Sequence, residues 1–287
     1  MTGAAGIAFF SPTTVAQTTK LLANPKGYLC LAGGGLVVPA LRSGSYPAGL
    51  ISLRHVAGLR GIVRRKGAVR IGAMTTHSDI MQAHALAGAL SAIRRAASEI
   101  ANPVIRSMTT IGGTLCRADP GADYFSALLA AGAAIRLRSR HGERTVALED
   151  FIHADGDTVR RDDELLVAVS VPVDTFTGSG GYARFARVEG DYPVASAAVR
   201  LDWRRGAVVS ARVAIGGCCP LPYLVADAEA LLAGAQRFED VPDALVSAAV
   251  EAARPRSDIR GSAEYRRLLI PGLLRRALAQ AFAEAIR

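Results

Sequence analysis

Two glycine-rich segments are the strongest candidates for chemistry in this sequence. The first follows a short apolar run that starts at Tyr28 and precedes a possible helical turn at Val37. Its residues are Ala32, Gly33, Gly34, Gly35 and Leu36. Because glycine has no Cβ, successive glycines let backbone amides converge on an anion. A strand, a glycine turn and a helix start in this order indicate a phosphate site, and a pyrophosphate suits it.

The second segment is predicted to be another glycine loop, with a hydroxyl at each end. Its residues are Thr110, Ile111, Gly112, Gly113 and Thr114. Asp119 and Asp123 follow, and carboxylates accept hydrogen bonds from ribose or ribitol hydroxyls. The two segments together indicate a dinucleotide. Neither matches GxGxxG or GxxxxGK[ST], which disfavours a Rossmann nicotinamide site and a P-loop.

Other chemistries find little support. The four cysteines, Cys30, Cys116, Cys218 and Cys219, show no CxxC spacing, so neither a zinc site nor an iron-sulfur cluster is expected. With no secretory context, we interpret them as reduced thiols. The adjacent pair could alternatively be redox active, although adjacent cysteines bridge only with strain. The histidines lack metal spacing, and His77 and His84 are predicted to lie on the surface. No catalytic residues and no metal are expected.

Composition predicts a folded protein of the cytoplasm. The chain has 287 residues, of which 50% are hydrophobic, so one or two cores can form. No apolar run approaches the roughly 18 residues of a membrane span. The first positive side chain is Lys20, so no secretory signal is visible. The net charge of +9 comes from scattered arginines without interleaved aromatics, which disfavours nucleic-acid binding.

The patterning predicts a mixed α+β fold. A helix capped by Thr75 or Thr76 follows the first β-like runs. The segment from Thr175 to Gly181 is predicted to be a linker. Three β-like runs and then helices follow it. We therefore predict two domains, 1–177 and 178–287, with the first divided into lobes of about 1–55 and 56–177.

Five motifs in order and spacing resemble the FAD-binding medium subunit of molybdenum hydroxylases, including the carbon monoxide dehydrogenase medium chain and the flavin domain of xanthine dehydrogenase. The motifs are Leu31-Ala32-Gly33-Gly34, Ile71-Gly72-Ala73-Met74-Thr75-Thr76, Arg106-Ser107-Met108-Thr109-Thr110-Ile111-Gly112-Gly113, Asp119-Pro120-Gly121-Ala122-Asp123 and Gly190-Asp191-Tyr192. The resemblance covers nearly the whole chain. It implies a two-lobed, vanillyl-alcohol-oxidase-like (PCMH-type) FAD-binding domain and a smaller domain of a three-stranded antiparallel sheet and helices.

The resemblance also implies roles for individual residues. Residues 32 to 36 would wrap the FAD pyrophosphate through backbone amides, and residues 110 to 114 would hold its other side and the ribitol. Asp123 would bond a hydroxyl of FAD. Leu166 matches the position beside the adenine. The positions around the isoalloxazine are matched by Arg184, Asp191 and Tyr192.

Two departures from the family pattern predict weaker FAD binding. Gly35 and Leu36 stand where the family usually has Gln, His or Thr followed by Ser or Asp, and Thr114 stands where Asn is common. Each lost side-chain bond to a phosphate costs about 1.5 to 3 kcal/mol.

The function that the resemblance implies is electron transfer within a complex. FAD would pass electrons from iron-sulfur clusters of a small subunit to an external acceptor, and the substrate would be oxidised in a molybdopterin large subunit. Two alternatives stay open, a flavin-less scaffold subunit and a self-contained flavin oxidase.

Overall fold

Three β-sheets follow one another along the described part of the chain. The structure is a computed structural model, and it describes residues 6–65, 67–119, 121–153, 156–173 and 177–285. Helices alternate with the strands, so the predicted α+β class is confirmed. Among the described residues, no helix is both long enough and apolar enough to cross a membrane.

The first sheet is small and parallel, with strand order β1-β3-β2. Its elements are β1 (Ala8–Phe10), α1 (Val15–Leu22), β2 (Leu29–Leu31), α2 (Val37–Arg42) and β3 (Gly49–Ser52). Ile51 of β3 is fully buried and packs in one core with Leu165 and Val167 of the next sheet. The edge strand β2 leads directly into the first glycine segment.

The second sheet is antiparallel, with strand order β4-β5-β8-β6-β7. Its elements are β4 (Ile62–Arg65), β5 (Ala68–Gly72), α3 (His77–Gln82), α4 (Ser91–Glu99), α5 (Pro103–Met108), α6 (Ile111–Arg117), α7 (Asp123–Ala130), β6 (Ala134–Ser139), β7 (Gly142–Ala147), α8 (Leu148–Phe151) and β8 (Leu165–Pro172). The largest core contains side chains of this sheet and of α4 and α7, with Tyr124 and Phe125 fully buried. Helix α7 therefore lies at the centre of the molecule.

Local capping residues explain where the helices around the candidate site begin. The Thr76 side chain accepts from the Asp79 N–H, and the Asp79 side chain accepts from the Thr76 N–H, so a capping box starts α3 as predicted. Asn102 caps α5 by accepting from the Ile105 N–H at 2.9 Å, and Pro103 occupies the first helical position.

The third sheet is also antiparallel, with strand order β12-β11-β10-β9. Its elements are β9 (Thr177–Phe185), β10 (Ala195–Arg204), β11 (Ala207–Gly216), β12 (Tyr223–Leu224), α9 (Ala228–Leu232), α10 (Asp243–Ala252) and α11 (Ala263–Ala285). The three long strands correspond to the predicted three-stranded sheet, and the two-residue β12 extends it. Helix α11 packs on β9 and β10 to complete a second large core.

The prediction of a flexible linker over residues 175–181 is wrong for its described part, residues 177–181. Thr175 and Phe176 lie outside the described residues, but Thr177 to Gly181 form the first half of β9. A Cβ on Gly181 would lie 1.8 Å from the Ala277 carbonyl oxygen of α11, and one on Gly178 would lie 2.4 Å from the Ala89 Cβ. The glycines are therefore places where helices approach the strand closely. The predicted domain boundary at 177 falls at the start of this strand.

Candidate functional site

The first glycine segment, which we call the glycine turn (residues 32–36), is pressed against the end of α5. A Cβ on Gly33 would lie 2.0 Å from the Met108 carbonyl oxygen, and one on Gly35 would lie 2.6 Å from Thr109 Cγ2. Gly34 has a φ of +76°, in the left-handed region that favours glycine. The structure therefore brings the turn beside residues 108 and 109, which immediately precede the second glycine segment.

The backbone amides of the glycine turn are available to a ligand. The Gly34 carbonyl accepts from the Val38 N–H at 3.0 Å, and the Leu36 carbonyl accepts from the Ala40 N–H at 3.2 Å. The amides of residues 33 to 36 donate to no acceptor in the part of the chain that is described. A group of unbonded amides on a turn with three consecutive glycines is suited to an anion with several oxygens. This fits the pyrophosphate of a dinucleotide cofactor.

The second glycine segment differs from its predicted form. Instead of a loop it is the start of α6, capped by Thr110, whose Oγ1 accepts from the Gly113 N–H at 3.2 Å. Gly112 donates to the Ala73 carbonyl at 2.9 Å, and a Cβ there would lie 2.8 Å from that oxygen. The glycines thus allow α6 to approach the end of β5. Loop and helix start share the same short motif, so the sequence alone did not separate them.

The amides of the second segment already have partners within the protein. Ile111 donates to the Thr75 carbonyl at 3.1 Å, and Thr114 donates to the Thr110 carbonyl at 3.1 Å. The segment therefore presents fewer unbonded donors than the glycine turn. The Gly113 amide differs from the others because its acceptor is a side-chain hydroxyl, which can rotate, and not a backbone carbonyl.

His77 is a functional candidate that the sequence prediction misplaced. It was expected on the surface, but its side chain is buried, with 1% exposure. Its Nε2 lies 3.2 Å from the Thr114 hydroxyl and its Nδ1 lies 3.1 Å from the Tyr124 hydroxyl. Burial, helped by the charge of Arg106, lowers the pKa of His77 to about 4. At neutral pH an uncharged imidazole therefore connects the second segment to α7.

Asp123 lies in a buried ion pair. Its Oδ1 accepts from the Tyr182 hydroxyl at 2.6 Å and from Arg184 Nη1 at 2.8 Å, and its Oδ2 accepts from the same Nη1 at 3.0 Å. Burial raises the pKa of Asp123, and Arg184 opposes that rise. Arg184 itself has only 6% side-chain exposure and also donates to the Asp191 carbonyl at 2.5 Å. These predicted site residues bind one another.

Asp119 and Tyr192 lie near this ion pair. Asp119 Oδ1 accepts from the Gly121 N–H at 3.0 Å, and a Cβ on Gly121 would lie 3.9 Å from the Tyr192 ring. The Tyr192 ring also has the Arg260 guanidinium 5.1 Å from its centroid. Burial and the charge of Asp119 raise the pKa of Tyr192, so its hydroxyl is protonated at neutral pH.

The structure therefore brings the predicted residues together in two groups. The first comprises the glycine turn and the start of α6, and the second comprises Asp119, Asp123, Arg184, Asp191 and Tyr192. Helix α5 ends beside the first group, and its Arg106 donates to the carbonyls of Ile100 and Ala101 at 2.8 and 2.7 Å. Leu166 belongs to neither group, because its side chain is 3% exposed within the largest core. Among the described residues, no three His, Cys, Asp or Glu side chains form a metal site.

Comparisons with known proteins cover almost the entire chain. The family described as FAD binding domain in molybdopterin dehydrogenase matches residues 5–174, and the family described as CO dehydrogenase flavoprotein C-terminal domain matches residues 181–281. The carbon monoxide dehydrogenase medium chain of Afipia carboxidovorans is 35% identical over 280 residues, which are 96% of this chain and 97% of the relative. The nicotine 6-hydroxylase medium subunit of Paenarthrobacter nicotinovorans is 32% identical over 276 residues, with the same coverage of both chains.

Solved structures show the same likeness. A chain of reconstituted CO dehydrogenase from Oligotropha carboxidovorans superposes with a TM-score of 0.89 at 34% identity, covering 97% of this chain and 98% of that one. A chain of quinoline 2-oxidoreductase from Pseudomonas putida 86 also gives 0.89, at 28% identity, with coverage of 98% and 99%.

Proposed function

We propose that this chain, which belongs to the FAD-binding medium subunits of the molybdenum hydroxylases, carries electrons from iron-sulfur clusters of a partner subunit to an external acceptor. The family supplies FAD as the cofactor and an oxidoreductase complex as the setting. The observation that carries the binding site is the glycine turn, whose amides lie unbonded beside Thr109.

The glycine turn is the proposed pyrophosphate site. Its amides would donate to the phosphate oxygens. The absence of Cβ atoms at Gly33 and Gly35 lets the turn pack against residues 108 and 109, which holds those amides in place. This contact needs no side chain at position 35 or 36. The departures of Gly35 and Leu36 from the family pattern therefore leave the backbone contribution in place.

The remaining contacts come from both groups of site residues. The Thr114 hydroxyl, held by His77, and the Gly113 amide would bind the other side of the pyrophosphate and the ribitol. Asp119 has one oxygen without a partner among the described residues, so it would accept from a cofactor hydroxyl. Asp123 would contribute through Oδ2, and Tyr192, with Asp191 and Arg184 beside it, would shield the ring system. Leu166 remains the proposed neighbour of the adenine.

The chemistry that FAD supplies when bound is reversible uptake of two electrons. The chain's own part is to bind the cofactor, to orient it and to limit access of water. An iron-sulfur small subunit and a molybdopterin large subunit are the proposed partners, in keeping with the medium chains to which this chain is similar. The cytoplasm is the proposed location, which the free state of all four cysteines supports.

The first experiment is a visible spectrum of the purified chain before and after FAD is added. Bands near about 370 and 450 nm that survive gel filtration are the expected result for a bound, oxidised flavin. A chain that stays colourless would contradict the proposed site and would favour the flavin-less scaffold.

A second experiment tests the direction of electron flow. The flavin-loaded chain, reduced chemically without oxygen, is mixed separately with NAD, a quinone and oxygen, and reoxidation is followed by absorbance. We expect rapid reoxidation by one acceptor. In a separate assay of the oxidised chain, we expect no reduction by organic substrates in the absence of the iron-sulfur partner. Reduction of the isolated chain by an organic substrate would favour the self-contained oxidase.

A further inference from the structure

Two adjacent cysteines lie far along the chain from the candidate FAD site, in the turn after β11. Cys218 is 2% exposed and belongs to the core beneath α11, whereas Cys219 is half-buried. Their sulfur atoms are 3.7 Å apart. This turn forms because Gly217 adopts a φ of +71°, and the buried Arg266 donates to the Gly217 carbonyl.

The surroundings of the two thiols favour a negative charge on Cys219. The Cys218 sulfur lies 3.7 Å from the Cys219 sulfur, and the Arg254 N–H donates to the Cys219 sulfur at 3.1 Å. The neighbouring Cys218 thiol, the Arg254 N–H and the charges of Arg254 and Arg266 lower the pKa of Cys219, while the pKa of Cys218 is raised. Asp258, paired with Arg266, and the Tyr223 hydroxyl, which donates to the Ala249 carbonyl at 2.6 Å, are the other titratable groups nearby.

The separation of the sulfurs distinguishes two fates of such a pair. A disulfide needs the sulfurs about 2.05 Å apart, so the pair would have to close substantially, and adjacent residues bridge with strain. Two sulfurs that share one tetrahedral centre through bonds of about 2.3 Å lie about 3.8 Å apart, and two sulfurs on a pyramidal trivalent centre lie somewhat closer together. The observed 3.7 Å therefore requires a much smaller movement for a shared centre than for a disulfide.

The number of protein ligands available restricts which metal or metalloid centre the two sulfurs can bind. Structural zinc needs four ligands, and the described residues offer no group of three or more His, Cys, Asp or Glu side chains. A centre that needs only two protein sulfurs fits better. Trivalent arsenic that already carries one organic group is such a centre, since two further bonds to sulfur complete its valence.

We propose that Cys218 and Cys219 form a two-sulfur site for monosubstituted trivalent arsenicals, with Cys219 making the first bond. The Cys219 sulfur adds to arsenic, and the arsenic oxygen takes up the proton. The Cys218 sulfur then forms the second bond, its proton joins the oxygen, and water leaves. One arsenic oxide and two thiols thus give one dithioarsenite and one water, with no change of oxidation state. The site is independent of the proposed FAD function.

The experiment uses phenylarsine oxide on the reduced, full-length chain. One equivalent is added, excess reagent is removed, and free thiols are counted after unfolding. We expect two of the four thiols to be lost, with one arsenical per chain in the intact mass. Excess 2-mercaptoethanol should leave the arsenical bound, and 2,3-dimercaptopropanol should release it.

Matched variants assign the site. Cys219→Ser and Cys218→Ala should each lower retention after the monothiol wash at least tenfold, whereas Cys30→Ser and Cys116→Ser should leave it unchanged. Circular dichroism checks the fold of each variant, and the half-buried Cys219 position suffices if Cys218→Ala does not fold. Retention by Cys219→Ser equal to that of the unchanged chain, or release by the monothiol, would overturn the proposal.

Discussion

Gly35 and Thr109 leave too little room for one additional methyl group. A Cβ at position 35 would lie 2.6 Å from Thr109 Cγ2, and the Thr109 hydroxyl, which donates to the Ile105 carbonyl at 2.6 Å, holds that side chain in place. We expect Gly35→Ala to displace the glycine turn and to weaken FAD binding about tenfold, a cost of about 1.4 kcal/mol. Fluorescence titration of the apo chain with FAD measures this.

A second substitution at Thr109 distinguishes the clash with the position-35 Cβ from a general loss of stability. Thr109→Ser removes Cγ2 but keeps the hydroxyl, so Gly35→Ala combined with Thr109→Ser should regain most of the affinity. Gly272→Ala is the control, because no atom lies within 4 Å of a Cβ there. A double variant that binds FAD as weakly as Gly35→Ala would show that this clash is not the cause.

His77 makes the stability of the chain sensitive to acid. Its pKa is about 4 in the folded chain, against 6.5 for an ordinary histidine. As pH falls below 6.5, the unfolded state takes up a proton that the folded state cannot take up until about pH 4, so stability falls across that window and then levels off. The expected loss is about 3 kcal/mol. Urea unfolding at pH 7, 5.5 and 4.5 measures it.

The variant His77→Gln should reduce this pH dependence. The amide replaces the ring without a titrating group, so the loss of stability between pH 7 and 4.5 should become smaller by about 2 to 3 kcal/mol. His84→Gln, at an exposed position seven residues later, is the control. Equal slopes for the unchanged chain and His77→Gln would rule out His77 as the source.

At the scale of elements, a glycine-rich segment can be either a flexible linker or a strand that other elements approach closely, and the sequence does not distinguish the two. The segment Thr177–Gly181 has the composition of a flexible linker, yet it is a buried strand on which α11 and the turn before α4 rest. Its partners, Ala89 and Ala277, are about a hundred residues away in either direction. The glycine turn was predicted correctly because its neighbours β2 and α2 are local.

The close approach of β9 and α11 predicts a large effect of one methyl group. Because a Cβ on Gly181 would lie 1.8 Å from a backbone carbonyl of α11, no side-chain rotation can relieve the clash. Gly181→Ala should lower the free energy of unfolding by about 3 kcal/mol. Gly272→Ala, in α11 itself, should not lower it. Chemical unfolding of both variants tests this, and equal stability would contradict the close packing.

The same distinction explains which parts of the site were predictable. The start of α3 and the glycine turn depend on neighbours within a few residues, and the sequence predicted the turn and a cap by Thr75 or Thr76, of which the structure shows Thr76. The partner of Asp123 is 61 residues away, so its ion pair with Arg184 could not be derived from spacing. The burial of His77 likewise depends on Tyr124, which is 47 residues away. The family resemblance implied that Asp123 and Arg184 both lie around the cofactor, but it implied neither their ion pair nor the burial of His77.

For the whole molecule, α7 is one of the elements that join the second sheet to the third. Besides the pair of Asp123 with Arg184, the Ser126 hydroxyl lies 3.0 Å from the Ser196 hydroxyl. Just beyond α7, the Ala131 carbonyl accepts from the buried Arg200 at 3.1 Å. The core beneath α7 includes Ala214 of β11. The candidate FAD site therefore shares residues with the contact between the two sheets, and stability and cofactor affinity should be coupled there.

The Asp123–Arg184 pair offers a test of that coupling. Asp123→Asn keeps an acceptor for Tyr182 but leaves the buried guanidinium with only the exposed Glu99 carboxylate, 3.9 Å away, so the free energy of unfolding should fall by about 3 kcal/mol. The double variant Asp123→Asn with Arg184→Gln removes both charges and should recover most of the loss. Urea unfolding measures each, and a double variant no more stable than Asp123→Asn would contradict the ion pair. FAD titration of the recovered double variant then tests whether the pair itself contributes to the cofactor site, since both residues belong to it and stability is restored.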